Sequence, residues 1–282
     1  MPAPDLPPAM TDPADPARAV HAHLAPAMVG EGSLRGGLVV VIDQLRASTT
    51  IATALARGAA WVEPALTVDE ARQKAGAMPP GGRLLGGERG GERIGGFDLG
   101  NSPDEYTRER VAGRGVVMTT TNGTAALRAA VRGGAARVIV GALANRAAVA
   151  RASAGFGGPV HALCAGTRGA LTLDDVLAAG ALVDAWIALG RAFAGGDQAR
   201  LARRLWQQAA AEVGGIGRAL RESRGGRNLA HIGLGRDLAA CGAVDVLGCV
   251  PELDQATGRI VCRCDGCAEP PASNAAARRS NG

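Results

Sequence analysis

Four short segments of this chain gather carboxylates, guanidinium groups, hydroxyls and glycines at spacings suited to handling an anion. In the first, Asp43-Gln44-Leu45-Arg46-Ala47-Ser48-Thr49-Thr50, a carboxylate closes an apolar run, a guanidinium follows three residues later, and hydroxyls come next. Asp43 could ligate a hard cation or attack phosphorus, and Arg46 could hold an anionic oxygen in a bidentate fork. The same pattern also fits an Asp that caps a helix, followed by a surface Arg.

The second segment, residues 86–103, sets Glu88, Arg89, Asp98 and Asn101 among glycines. A long loop with ordered acidic groups favours function, although Asn101 or Ser102 could also cap a helix that starts at Pro103. The third, Thr119-Thr120-Thr121-Asn122-Gly123-Thr124, offers hydroxyls and backbone N–H groups at a helix start, which make an anion cradle. Its alternative is a well-capped turn, for which one Thr and one Asn suffice. The fourth is Gly166-Thr167-Arg168-Gly169 with Asp174 and Asp175 just beyond, residues equally suited to ligation and to complementing a helix dipole. Gly225-Gly226-Arg227-Asn228 adds a cation and an amide that read as mobile, and His231 reads as a structural histidine.

These segments need a scaffold, and the sequence supplies one. Residues 38–43 form a continuous apolar run ending in a carboxylate, the pattern of a strand buried on both faces. Strands are predicted at 61–66, 83–87, 115–121, 137–141 and 160–165. Helices are predicted at 47–57, 68–75, 123–131 and 145–154. Longer helical patterns follow at 173–193, 198–213 and 216–221, and 244–250 is predicted to return a last strand. This alternation predicts an α/β fold, a mostly parallel sheet with helices on both faces, whose strand carboxyl ends would carry the four segments. Residues 19–268 are expected to form a single domain, with 1–18 and 269–282 as flexible tails.

Composition narrows the function. Aromatics are 2% and the formal charge is +5 over 282 residues, which excludes a stacking platform for nucleic acid but suits a small anionic substrate. No apolar run is long enough to span a bilayer, and the first residues lack a secretion signal, so a cytoplasmic protein is expected. Among six cysteines, Cys262, Cys264 and Cys267 cluster, but one CxxC is not a zinc framework and the thiols read as incidental.

Taken together, DQLRASTT (43–50), GGERGGERIGGFDLGNSPDEY (86–106), TTNGTAAL (120–127), GTRGALTLDDVLAAG (166–180) and GGRNLAHIGLGRDL (225–238) resemble the 2-phosphosulfolactate phosphatase (ComB) family. The resemblance spans the chain apart from its tails. It implies a three-layer α/β/α fold with a mixed sheet and a magnesium-dependent phosphatase that acts on 2-phosphosulfolactate or a related 2-phospho acid. In the family's coenzyme M route this step follows sulfite addition to phosphoenolpyruvate. Gln44, Ser48 and Ala125 depart from the expected pattern, at positions where an apolar residue, Thr and Arg are usual.

The residues also argue against other phosphatase chemistries. No cysteine has an Arg six positions on, no His lies in an Arg-His-Gly setting, and Asp43 has no Asp two residues later. Oxygen-rich magnesium chemistry remains. On this reading Mg²⁺ is held by some of Asp43, Glu88 and Asp98. Arg46, Arg89, Thr120, Thr121, Asn122, Gly123, Thr124, Gly166, Thr167, Arg227 and Asn228 surround the phosphate ester. The nucleophile is Asp43 or a metal-bound water. The competing reading is a non-catalytic binder of anionic metabolites on the same scaffold. A homodimer is expected from size alone.

Overall fold

The computed structural model describes residues 18–77, 81–193 and 196–263. Cys264 and Cys267, and most of both expected tails, lie outside these residues. In chain order the elements are β1 (Val20–His23), β2 (Leu38–Ile42), α1 (Ala47–Ala56), β3 (Trp61–Ala65), α2 (Val68–Gly76), β4 (Arg83–Arg89) and β5 (Glu92–Arg93). Next come α3 (Arg108–Val111), β6 (Gly115–Thr119), α4 (Gly123–Arg132), β7 (Arg137–Val140), α5 (Arg146–Ala154) and β8 (Val160–Cys164). The chain continues through α6 (Leu173–Ala188), α7 (Asp197–Ala211), α8 (Gly215–Glu222), α9 (Arg224–His231) and α10 (Asp237–Gly242) to β9 (Pro251–Asp254) and β10 (Arg259–Cys262).

The strands form one mixed sheet in the order β1-β8-β2-β7-β9-β10-β3-β6-β4-β5. β1, β8, β2 and β7 pair in parallel, as do β3, β6 and β4. Between the groups lie three antiparallel pairings, β7 with β9, β9 with β10 and β10 with β3. An odd number of reversals leaves the two parallel groups running in opposite senses. Asp43 after β2 and Glu88 in β4 nonetheless line one cleft.

Alternation along β2 shows why both faces are covered. Leu38, Val40 and Ile42 enter one apolar cluster with Leu177, Leu182, Trp186 and Trp206 of α6 and α7. Val39 and Val41 enter another with Ile51 and Leu55 of α1 and Leu127 of α4. A strand buried on both sides must be apolar throughout, as LVVVI is. Close packing on the first face needs a missing side chain at Gly180, where a Cβ would lie 1.9 Å from Ala202 O of α7.

Two expectations are corrected. Residues 244–250 are irregular, and the last strands are the β9–β10 hairpin that follows them. Arg227 and Asn228 are not on a mobile loop but in α9, whose N-cap Ser223 accepts a hydrogen bond from Gly226 N at 2.9 Å. No helix among the described residues is long and apolar enough to cross a membrane.

Candidate active site

Loops from both halves of the sheet and the start of α9 enclose a cleft of about 530 Å³. Asp43, Arg46, Glu88, Asn101, Thr121, Asn122, Thr167, Arg168, Arg224, Arg227, Asn228 and His231 line it. Asp43 leaves β2 as α1 begins, and its backbone is fixed twice over. Its N–H donates to Ser48 Oγ at 2.9 Å and its carbonyl accepts from Ser48 N at 2.8 Å. As a helix cap it is poor: the bond from Ala47 N to Oδ1 is long, 3.4 Å, and the N-cap position belongs to Arg46.

The surroundings of Asp43 are hostile to its charge. Its pKa is pushed up to about 7, first by burial and then by the nearby Glu88 and Asp174 charges, against partial relief from Ala47 and Gly123 N–H groups. Burial likewise raises Asp174, with Ser223 and Thr172 pulling it back. Burial, then Asp174 and Asp43, hold Asp175 well above the usual carboxylate range. Asp175 ties the two loops of its half together, accepting from Gln44 N and Gly166 N, each at 2.8 Å. Gly123 has a steric reason to be glycine, since a Cβ there would sit 2.9 Å from Asp43 Oδ2.

Glu88 joins the other half of the sheet to this centre. Its Oε1 accepts from Thr121 N and Thr121 Oγ1 at 2.8 and 2.9 Å, and its Oε2 accepts from Gly91 N at 2.8 Å. The third segment is therefore held in place by Glu88. Arg46, buried, donates to Asp237 Oδ2 and to Gly91 O, the latter at 2.5 Å. The other oxygen of Asp237 accepts from Ser102 Oγ at 2.7 Å, so one buried carboxylate fixes Arg46 and the 101–103 loop at once.

Other predicted residues stand apart. Asp98 is exposed and accepts from Leu85 N at 2.8 Å, and it is not among the cleft residues. Arg89 donates to Glu88 O, Leu66 O and Thr119 Oγ1, bracing β4 against β6 outside the cleft. Thr120, Gly123 and Thr124 line a small space behind Asp43 rather than the cleft itself. Gly166 contributes its N–H to Asp175. Gln44, the departure from the expected apolar residue, is fully buried and satisfied: Nε2 donates to Cys241 O at 2.6 Å, and Oε1 accepts from Leu143 N at 3.0 Å.

The structure adds residues that the motifs left undecided or passed over. Asp174 joins Asp43, and its Oδ1 is buried without a hydrogen-bond partner. Asn101 Oδ1 and Thr120 Oγ1 are likewise unpartnered. Arg168, Arg224 and His231 are exposed on the cleft lining. Asp237 was visible only as part of GRDL, and no spacing in the sequence links it to Arg46 across 191 positions. Among the described residues, no three His, Cys, Asp or Glu side chains are grouped so as to hold a metal ion unaided.

Comparison with known proteins finds relatives over most of the chain. The family model described as 2-phosphosulpholactate phosphatase matches residues 23–256. A protein of Symbiobacterium thermophilum named "Probable 2-phosphosulfolactate phosphatase" is 42% identical over 228 residues, covering 81% of this chain and 95% of that protein. Proteins of the same name from Prochlorococcus marinus (strain MIT 9313) and Deinococcus radiodurans are 44% and 43% identical. They cover 75% and 77% of this chain and 87% of each relative.

Proposed function

The chain belongs to the 2-phosphosulpholactate phosphatase family, and from that premise we propose that it hydrolyses 2-phosphosulfolactate, or a related 2-phospho acid, with magnesium as cofactor. One observation carries the reading: a single cleft is lined by Asp43 and Glu88, with Asp174 beside them, and by four arginines. Carboxylates suit a hard cation, and arginines suit an ester with several negative charges.

The residues fit magnesium in one respect that can be checked. Burial and then the Glu88 and Asp174 charges make Asp43 hard to ionise, and Asp174 Oδ1 lacks any partner, which a cation would relieve. Asp43 and Asp174 would hold the ion, with waters and the phosphate completing its shell, since Mg²⁺ seldom takes an all-protein cage. A bound ion would supply positive charge against the phosphoryl oxygens. Glu88, its oxygens already engaged, orients the Thr121–Asn122 turn. Arg46 contributes a fixed guanidinium beside the phosphoryl group. Arg168, Arg224 and Arg227 meet the remaining acid groups of the substrate.

The attacking oxygen belongs to Asp43 or to a water that Asp43 orients. Rapid quenching into borohydride separates the two, because only attack by Asp43 passes through an acyl phosphate, which the hydride reduces to an alcohol in the peptide that contains residue 43. The function itself is tested by phosphate release from a panel of 2-phospho acids, with and without magnesium. Rapid release from the multiply charged acids, abolished by chelation, is expected. Full activity after exhaustive chelation, or equal turnover of simple alkyl phosphates, would overturn the proposal.

A further inference from the structure

We propose that Cys249 and Cys262 are a dithiol pair that closes reversibly to a disulfide, stapling the base of the β9–β10 hairpin. Cys249 Sγ lies 2.8 Å from Cys262 Sγ, thiol to thiol. The backbone that carries them is already paired: Cys262 is in register with Pro251, and Arg263 N donates to Val250 O at 2.9 Å. Asn145 Nδ2 donates to Cys249 O at 3.1 Å and anchors that side. Cys249 is buried in the second apolar cluster and Cys262 packs against it, half-buried, so closure needs little rearrangement.

The placement gives the bond a consequence. β9 and β10 are the antiparallel seam between the two parallel groups, and each group supplies part of the cleft. A covalent closure there ties the ends of the seam. Chemistry requires an acceptor for two electrons, and a low-molecular-weight disulfide suffices. The more accessible Cys262 thiolate attacks one sulfur of that disulfide, forming a mixed disulfide and releasing one thiol. The Cys249 thiolate then displaces the second thiol and the protein disulfide forms, with both protein protons ending on solvent or on the released thiols. Excess dithiol reverses the sequence.

The test uses the full chain, reduced and then exposed to oxidised glutathione, beside a Cys264→Ser/Cys267→Ser variant. Trypsin separates Cys249 from Cys262 by cleaving after Arg259, and separates Cys262 from Cys264 by cleaving after Arg263. Expected are a mass loss of two hydrogens in both proteins and a linked peptide pair whose fragments locate Cys249 and Cys262. The Tm should rise by on the order of 5–10 °C, reversed by dithiothreitol and absent in Cys249→Ser/Cys262→Ser. A glutathione adduct that stays on Cys262, or a link from Cys262 to Cys264 or Cys267, would overturn the proposal. So would stoichiometric zinc in the native protein that Cys249→Ser releases.

Discussion

Asp43 sits under two opposed requirements, a place in the buried heart of the fold and a negative charge that the place disfavours. A carboxylate whose pKa is driven to about 7 destabilises the folded chain at pH 8, and an amide of the same shape does not. Asp43→Asn is therefore expected to leave the Tm of the metal-free protein unchanged or higher while lowering kcat by about 10²–10³-fold or more. Parallel calorimetry and phosphate-release assays check both halves, and near-normal turnover would shift the chemistry to Glu88 and Asp174. Gly123→Ala makes a complementary case. Ala favours a helix over Gly by about 1 kcal/mol, yet its Cβ would press on Asp43 Oδ2 from 2.9 Å. Activity is expected to fall at least about tenfold with little loss of stability; a Tm collapse instead would show that the helix start cannot accept the methyl group. At this scale the sequence was informative where chemistry and backbone lie side by side, as in Asp43 to Ser48. It was silent about Asp237 and left Asp174 open between ligation and a helix dipole, because both roles depend on distant partners.

The elements differ in how far local sequence determines them. The apolar runs of β2 and β8 and the helical stretches of α1, α4 and α6 stand out locally, and their predicted positions agree with the structure to within a few residues, except at the C-terminus of α6. The helix α9 was hidden because Arg-Gly-Gly-Arg-Asn has poor helix propensity. Its signal lay one residue earlier, in the N-cap Ser223. The β9–β10 hairpin was missed because four-residue strands carry little pattern, and their pairing with β7 and β3 is long-range. The finding about α9 matters for function, since a helix presents Arg224 and Arg227 as a fixed pair on the cleft rim. Both are exposed, so each is worth about 1 kcal/mol to an anionic substrate at low salt. Arg224→Gln/Arg227→Gln is expected to raise KM about 10–30-fold with kcat within about threefold, and to weaken the salt dependence of kcat/KM. A loss confined to kcat would place these arginines at the phosphoryl group instead.

At the scale of the whole molecule, the fold gathers buried carboxylates from two oppositely directed halves of one sheet, and that arrangement couples stability to pH and metal. For Asp43 the folded pKa of about 7 exceeds the ordinary value of 3.8. Below pH 4 the group is protonated folded or unfolded and contributes nothing. As pH rises from 4 to 7 the unfolded chain gives up its proton first, so the folded state loses stability across that window, and the loss is complete above 7. The raised Asp174 and Asp175 act in the same direction. A cation bound between Asp43 and Asp174 would cancel the penalty where it is greatest. Saturating magnesium is therefore expected to raise Tm by several degrees at pH 8 and hardly at all at pH 5, with calcium able to stabilise without supporting turnover. In Asp174→Asn the shift at pH 8 should shrink, because one donor is gone and the repulsion it answered is reduced. Scanning calorimetry from pH 5 to 8, with and without the metal, reads this directly. A magnesium shift of equal size at both ends of the range would mean that the ion binds elsewhere than at these buried acids.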